Sequence, residues 1–375
     1  MTKAPLQAIP ADIVSVADYE RRAIGHIDAT AWAYLQGGAA DERTLHDNLD
    51  AWTDCKLLPR VLADVRGGHT RCALLGETFA HPIILAPVAS QCLFHPEGEL
   101  ATTLAASVMQ GAAVISTQAS HTLEEIASHN QSLGQGLLWF QLYWQGSRDA
   151  TLALVKRAET AGYRALMLTV DAPVSGARNR EQRAGFRLPA EMANRNVPPT
   201  PLPVVPDGSS MVFDGLMTIA PTWEDVAWLV RQTALPILLK GILHPDDAKK
   251  AVDIGVSGIA VSNHGGRVLD GVTATLQALP TVVKALNGAV PILVDGGIRR
   301  GTDILKARAL GATAVMIGRP YIYALSVAGA LGVAHVIRLL REELEIAMAL
   351  TGCKTLDDIH RDLLRNRQSA FTTLI

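Results

Sequence analysis

The stretch Val261-Ser262-Asn263-His264-Gly265-Gly266-Arg267 sets a histidine and an arginine three residues apart, directly after the apolar run Gly258 to Val261. The run reads as a buried strand, and the glycine pair lets the backbone turn sharply after it. Imidazole can take a proton near neutral pH, and a guanidinium can grip a carboxylate at two points. An isolated His-x-x-Arg is more often a satisfied loop histidine beside a solvated arginine. Here the rest of the chain supplies partners.

Those partners stand where other apolar runs end. Thr169-Val170-Asp171 closes one run, and an aspartate there could orient His264 and stabilise its protonated form. Arg178 follows and could close with Arg267 on an anion from two sides. In Phe140-Gln141-Leu142-Tyr143, strand alternation puts Gln141 and Tyr143 on one face. Lys240 ends Ile237-Leu238-Leu239 and is either a cation for an anionic ring or phosphate, or an ordinary ion-pair partner. Asp295-Gly296-Gly297-Ile298-Arg299-Arg300-Gly301 and Gly318-Arg319-Pro320 follow the last two runs. Glycine N–H groups, a helix N-terminus and nearby arginines read together as a phosphate site. A lone Gly-Gly-x-Arg would be weak; the pairing is what gives the signal its specificity.

Such residues meet only if the elements bring strand ends together. Apolar strands are expected at Pro82–Ala86, Ala113–Ser116, Leu137–Leu142, Ala165–Val170, Pro236–Lys240, Gly258–Ser262, Pro291–Asp295 and Ala314–Gly318, with helical stretches between and after them. Near-continuous apolar runs signal strands buried on both faces. The fold class is therefore α/β, a (β/α)8 TIM barrel, whose active site lies at the carboxyl ends of the strands. A doubly wound open sheet is the alternative, but no Gly-x-Gly-x-x-Gly opens the first unit. Before the barrel, Asp18 to Leu35 has helical spacing stopped by Gly37-Gly38, a polar helix follows over Ala40–Ala51, and Arg71–Leu75 reads as a short strand. Asp171 to Trp223 lacks periodicity and holds Pro189, Pro198, Pro199, Pro201, Pro203 and Pro206, as a lid does. The tail from Arg361 is polar and reads as mobile.

Composition sets the outer bounds. The 375 residues are 49% hydrophobic and 19% charged, which fits one soluble domain over 1–375. Within it we expect an N-terminal helical segment (1–75), a barrel (76–352) and a lid-like loop (171–222). A net charge of −2 without a basic block gives nucleic-acid binding no electrostatic support. No uninterrupted apolar run reaches the ~18–20 residues of a membrane span. Met1 to Asp12 lacks a signal-sequence pattern, so a cytoplasmic location is expected. Cys55, Cys72, Cys92 and Cys353 form no Cys-x-x-Cys pair, so neither a metal site nor a disulfide framework is expected.

The motifs Ser-Asn-His-Gly-Gly-Arg, Asp-Gly-Gly-Ile-Arg-Arg-Gly, Phe-Gln-Leu-Tyr and Leu-Thr-Val-Asp resemble those of the FMN-dependent L-2-hydroxy acid oxidases and dehydrogenases, among them glycolate oxidase, lactate oxidase and mandelate dehydrogenase. The similarity runs from about Tyr34 to Gly352. It implies that His264 is the base and that Asp171 orients it. Arg178 and Arg267 would bind the substrate carboxylate, helped by Tyr34 and Tyr143. FMN would lie on the backbone of Ala86, Pro87, Val88 and Ala89. Ser116, Gln141, Thr169 and Lys240 would hold its ring, with Ser262 nearby. Asp295, Gly297, Arg299, Gly318 and Arg319 would take ribitol and phosphate. The resemblance also implies a small 2-hydroxy acid substrate, a homotetramer, and oxygen or a quinone-like acceptor; Ala89, where some dehydrogenases carry glycine, favours oxygen.

The chain departs from the glycolate oxidase pattern at Gln118 and Ser175, which replace a bulky tryptophan and a leucine. Removing bulk at two walls opens room beyond C2. Glycolate is thus expected to be a poor substrate and a larger 2-hydroxy acid a better one, although an inward-folded Gln118 amide would favour lactate or a polar substrate. The end Thr-Thr-Leu-Ile is not a peroxisomal address.

Overall fold

The computed structural model describes residues 2–132, 136–192, 195–198 and 203–366. Eight parallel strands close into a barrel: β4 (Ile83–Leu85), β5 (Ala112–Ser116), β6 (Leu137–Leu142), β7 (Ala165–Thr169), β8 (Ile237–Ile242), β9 (Gly258–Val261), β10 (Ile292–Val294) and β11 (Ala314–Ile317), which pairs back onto β4. Every residue of β5, β7 and β9 is buried. One face of each strand fills the barrel and the other lies under helices, so apolar residues run through without alternation.

The connecting helices are α4 (Gly98–Val108), α5 (Leu123–Ser132), α6 (Arg148–Ala161), α8 (Trp223–Val230), α9 (Pro245–Asp253), α10 (Thr275–Leu286), α11 (Gly301–Ala309) and α12 (Arg319–Thr351). Their ends follow local rules. Ser147 caps α6 by accepting from the Ala150 N–H at 3.2 Å, and Gly162 ends it with φ 90°. α12 is long and apolar enough to cross a membrane by length and composition, which no uninterrupted apolar run had indicated. Its most apolar window is 67% buried, however, and the helix kinks at Ala328-Gly329, so it is a core helix packed along the barrel.

The N-terminal segment differs from its expected outline. Asp18 to Leu35 is two helices, α1 (Val16–Ala23) and α2 (Ala29–Gln36). Asp28 starts the second by accepting from the N–H groups of Thr30 (2.9 Å) and Ala31 (3.4 Å). The next helix, α3 (Arg43–Asp54), begins later than Ala40 because Ala40 and Glu42 take left-handed backbone. Cys72–Leu74 (β2) does not lead straight into the barrel; it turns back through Leu75-Gly76 to pair with Glu77–Phe79 (β3).

Two further expectations change. The long interval after β7 carries local order: α7 (Asn179–Arg183) and helical turns at Ala190–Met192, Met211–Gly215 and Leu216–Ile219. Pro199 and Pro201 lie outside the described residues. The tail from Arg361 is docked rather than loose as far as residue 366. Leu363 is buried, and Leu364–Asn366 (β12) pairs with Cys55–Leu57 (β1). We therefore expect truncation after His360 to destabilise the protein by at least the roughly 1.5–3 kcal/mol of a buried leucine. Denaturant midpoints of the full and shortened chains test this, and an unchanged midpoint would refute the docking.

Candidate active site

The loops at the carboxyl ends of the barrel strands enclose a cleft of about 1040 Å³, mouth included. Pro87, Val88 and Ala89 follow β4, Gln118 follows β5, and Tyr143 follows β6. Ser116, Gln141, Thr169 and Lys240 line it from the strands themselves. His264 and Arg267 come from the β9 loop, Asp295 to Arg299 from the β10 loop, and Gly318 and Arg319 from the end of β11. Tyr34 from α2 and Arg178 from the long loop complete the wall.

His264 sits at its centre. Its Nδ1 is 2.9 Å from Asp171 Oδ1, and its Nε2 is 3.4 Å from the Tyr143 hydroxyl. Burial lowers its pKa, and the Lys240 cation lowers it further. Asp171 works in the opposite direction without overcoming them, so the imidazole is neutral at neutral pH. Asp171 loses ionisation to burial but regains it from Lys240 and His264, and its pKa ends below the ordinary carboxylate value. Burial likewise opposes the Lys240 charge, but Asp295 and Asp171 outweigh it and the pKa is raised. Lys240 Nζ lies 3.6 Å from Asp295 Oδ2, so this lysine is both a cleft-lining cation and an ion-pair partner.

Gly241 makes the dyad possible. It carries φ 110° at a register shift between Lys240 and Ile242, and a Cβ there would lie 2.4 Å from the Asp171 Cβ. Only a glycine lets β8 pass this close to the aspartate.

The floor is a fixed polar ladder. Gln141 Nε2 donates to Thr169 Oγ1 at 3.0 Å, while Gln141 Oε1 accepts from Ser116 Oγ (3.2 Å) and the Thr117 N–H (3.1 Å). Ser262 does not reach the cleft as expected: it is fully buried, and its hydroxyl accepts the His264 N–H at 3.1 Å, holding that residue's left-handed turn.

At the other end, Gly296 and Gly297 have φ 92° and 83°. A Cβ on Gly297 would lie 2.0 Å from the Asn48 carbonyl oxygen, so α3 presses directly on this loop. Asn48 and Asn263 exchange two 2.9 Å hydrogen bonds, and Trp52 donates to the Gly296 carbonyl at 2.8 Å. Helix α3 thus braces the loops after β9 and β10, a role its sequence did not signal.

The arginines do more than face the cleft. Arg319 donates to the carbonyls of Leu35 (2.9 Å), Gly265 (3.1 Å) and Gly37 (3.0 Å). Burial and the neighbouring Arg267 bring its pKa down to about 9. Arg267 donates through Nη1 to the carbonyls of Tyr34 (2.6 Å) and Gly37 (2.7 Å), and its guanidinium lies 4.9 Å from the Tyr34 ring centroid. Its Nη2 is 3.9 Å from Glu181 Oε2, and Arg178 Nη1 is 3.5 Å from the same oxygen. Glu181 was not expected in the site. Phe186, also unexpected, stacks on Tyr34 at 4.6 Å between centroids. Only their position in an aperiodic loop leaving the active face could have flagged them.

A wider space of about 2560 Å³ opens beyond the cleft, under the long loop. It shares Tyr34, Ala89, Gln118, Tyr143, Thr169 and Arg178 with the cleft and adds Val174, Ser175, Phe186, Leu188 and Met217.

Known proteins share this architecture. The signature described as FMN-dependent dehydrogenase matches residues 23–366. An L-lactate oxidase of Roseobacter sp. (strain GAI101) is 48% identical over 94% of this chain and 94% of its own. The 2-hydroxyacid oxidase 1 of Mus musculus is 41% identical over 96% of this chain and 99% of its own. A crystal structure of mandelate oxidase with (S)-2-phenylpropionate superposes with a TM-score of 0.85 at 42% identity, covering 94% of this chain and 98% of that one. With the barrel, the dyad and the paired glycine-arginine loops in place, this chain belongs to the FMN-dependent dehydrogenase family.

Proposed function

We propose that this chain oxidises an L-2-hydroxy acid to the 2-oxo acid using FMN, that oxygen is the final oxidant, and that His264 is the base. The observation that carries this is a neutral imidazole with Nδ1 on Asp171 and Nε2 turned to Tyr143 at the cleft. FMN fits the cleft on its own terms. Asp295 Oδ1 is buried without a hydrogen-bond partner, as an oxygen awaiting a ribityl hydroxyl would be. Gly297, Gly318 and Arg299 supply backbone and charge for the phosphate, while Gln141, Thr169 and Lys240 supply donors and a cation for the ring. When bound, FMN accepts two electrons from the substrate and passes them to oxygen as hydrogen peroxide.

The chain's residues divide the remaining work. Arg178 and Arg267 hold the substrate carboxylate at the place Glu181 now reaches towards. Tyr143, whose phenol burial keeps protonated, bonds the hydroxyl end. His264 Nε2 takes the proton, and Asp171 stabilises the resulting imidazolium through Nδ1. Hydride transfer and carbanion formation both require this sequence of charges.

A substrate larger than glycolate suits the space under the loop. Gln118 and Ser175 both border it, beside Val174, Phe186 and Leu188. Each methylene buried there contributes roughly 0.8 kcal/mol. Passage of electrons to a quinone-like acceptor is the second reading, and Ala89 in the cleft wall favours oxygen over it. A homotetramer and a cytoplasmic location belong to the same proposal; sedimentation of the purified protein tests the former.

Four outcomes are expected. Purified protein should be yellow and release FMN on acid treatment, whereas a colourless protein that takes up no FMN would overturn the reading. His264→Ala should keep FMN but slow anaerobic flavin reduction by roughly 10²–10⁴-fold, the range for loss of a general base. In wild type, kcat/KM should rise with pH through the His264 pKa, below its ordinary 6.5, because only neutral imidazole accepts the proton. Asp171→Asn removes a contribution that raises that pKa, so the acid limb should move to lower pH while the plateau rate falls. A limb moving upward would contradict the assignment. Finally, comparing kcat/KM for glycolate, lactate, 2-hydroxyoctanoate and mandelate under oxygen uptake tests the substrate: glycolate as the best of the four would rule out the size argument, and activity with an artificial acceptor but no oxygen uptake would favour the second reading.

A further inference from the structure

Cys92, Glu99 and His121 each bring one ligand atom within 4.8 Å of the others. They come from three places: a 3-10 turn after β4 (Gln91–Leu93), the first turn of α4, and the loop between β5 and α5. Because only one of the three is a cysteine, cysteine spacing alone gave no hint of them.

Two independent observations point to a ligand. The first is the unsatisfied carboxylate. Glu99 is fully buried, and its Oε1 accepts from the N–H groups of Gln91 (3.1 Å) and Ser120 (3.0 Å), the residues preceding Cys92 and His121. Its Oε2 is buried with no hydrogen-bond partner, a costly state for a carboxylate oxygen. One oxygen therefore ties together the two loops that present Cys92 and His121, and the other is left for a further partner. The second observation is a distance. Cys92 Sγ lies 3.6 Å from His121 Nε2. A tetrahedral Zn²⁺ bound by a thiolate at about 2.3 Å and an imidazole at about 2.0–2.1 Å spaces sulfur and nitrogen by about 3.6 Å.

We propose that Cys92, Glu99 and His121 form a binding site for a soft divalent cation, Zn²⁺ by ligand type, which pins together the loops after β4 and β5. The thiolate and carboxylate balance the ion's charge, and the neutral imidazole completes three protein ligands. Cys92 and His121 are partly exposed, which leaves an entry path and a fourth position for water. Without the ion, the Cys92 S–H is within hydrogen-bond reach of both the Pro96 carbonyl at 3.3 Å and His121 Nε2 at 3.6 Å; binding replaces that proton. The Arg195 cation also acts on Cys92, but its guanidinium is 3.8 Å from the Glu125 carboxylate, which takes up its charge. The pinned loops matter because they carry Ala89 and Gln118, which line both the cleft and the wider space beyond it, and Ser90 already donates to the Gln118 carbonyl at 2.9 Å.

The test uses tag-free holoenzyme dialysed against a chelator and then against buffer. Titration with Zn²⁺, read by metal analysis after equilibrium dialysis, should give one bound ion per chain. Co²⁺ in its place should produce d–d bands to the red of the flavin absorption. Zn²⁺ should raise Tm and protect Cys92 from alkylation, read by mass spectrometry of the Cys92 peptide. Cys92→Ser and His121→Asn should each keep FMN but lose the stoichiometric ion and the Tm rise. Wild-type protein that binds no stoichiometric Zn²⁺, or a Cys92→Ser protein that binds it as tightly as wild type, would overturn the proposal. Glu99→Gln is not used, because Glu99 also anchors both loops.

Discussion

A neutral imidazole has to stay next to an ionised carboxylate and within reach of a buried ammonium, and most of the barrel mouth is arranged around that requirement. Burial alone would strip charge from Asp171, Lys240 and His264 alike. Asp171 and Lys240 keep theirs because each supports the other and Asp295 supports the lysine. His264 loses its charge because burial, reinforced by the Lys240 cation, outweighs the support that Asp171 gives an imidazolium. In the proposed mechanism the balance tips when the imidazole gains a proton, since the carboxylate at 2.9 Å is then already in place. No group has to move, which is what preorganised stabilisation requires. The positively twisted Gly241 and the Ser262 hydroxyl serve this arrangement without touching a substrate: one admits Asp171, the other fixes the turn that aims His264.

The barrel and the polar strand ends were legible in the sequence for a common reason. Parallel strands buried on both faces leave long apolar runs, and a charged or long polar side chain ending such a run finds room and partners at the mouth. His264, Asp171, Lys240 and Gln141 were all found this way. What escaped depends on individual side-chain and backbone contacts, some local and some between segments distant in sequence. The two helices within Asp18 to Leu35 are separated by a turn after Ala23, and the carboxylate of Asp28 caps the start of the second. The docking of the tail needs β1 as its partner, and neither strand carries a pattern of its own. Ser262 was expected near the cofactor only through the family resemblance; its hydroxyl accepts the His264 N–H and so serves the backbone of the turn.

The arginines show the same limit more sharply. Arg267 and Arg319 sit in motifs that suggest anion binding, yet between them they donate to carbonyls of Tyr34, Leu35, Gly37 and Gly265. Those carbonyls belong to the end of α2 and to the β9 loop, so the cations attach the N-terminal helices to the mouth of the barrel. A lysine could supply the charge but not several fixed donors at once. The N-terminal segment is therefore part of the site, since it delivers Tyr34 and is itself held by a residue of the cleft.

Arg178 and Arg267 also share a single acceptor, Glu181 Oε2, at 3.5 and 3.9 Å. Those separations exceed the roughly 2.7–2.9 Å of a charge-assisted hydrogen bond, so neither arginine spends its full binding capacity on Glu181. An incoming carboxylate can take direct hydrogen bonds from both, with Glu181 left to offset part of their charge. Glu181 and Phe186 lie on the same loop, and Phe186 covers the Tyr34 ring that Arg267 approaches from 4.9 Å. The arginine pair and the loop are thus linked through shared atoms: both arginines approach Glu181, which lies five residues from the aromatic that stacks on Tyr34. The loop's local order and the disposition of the two arginines are consequently two expressions of one set of contacts.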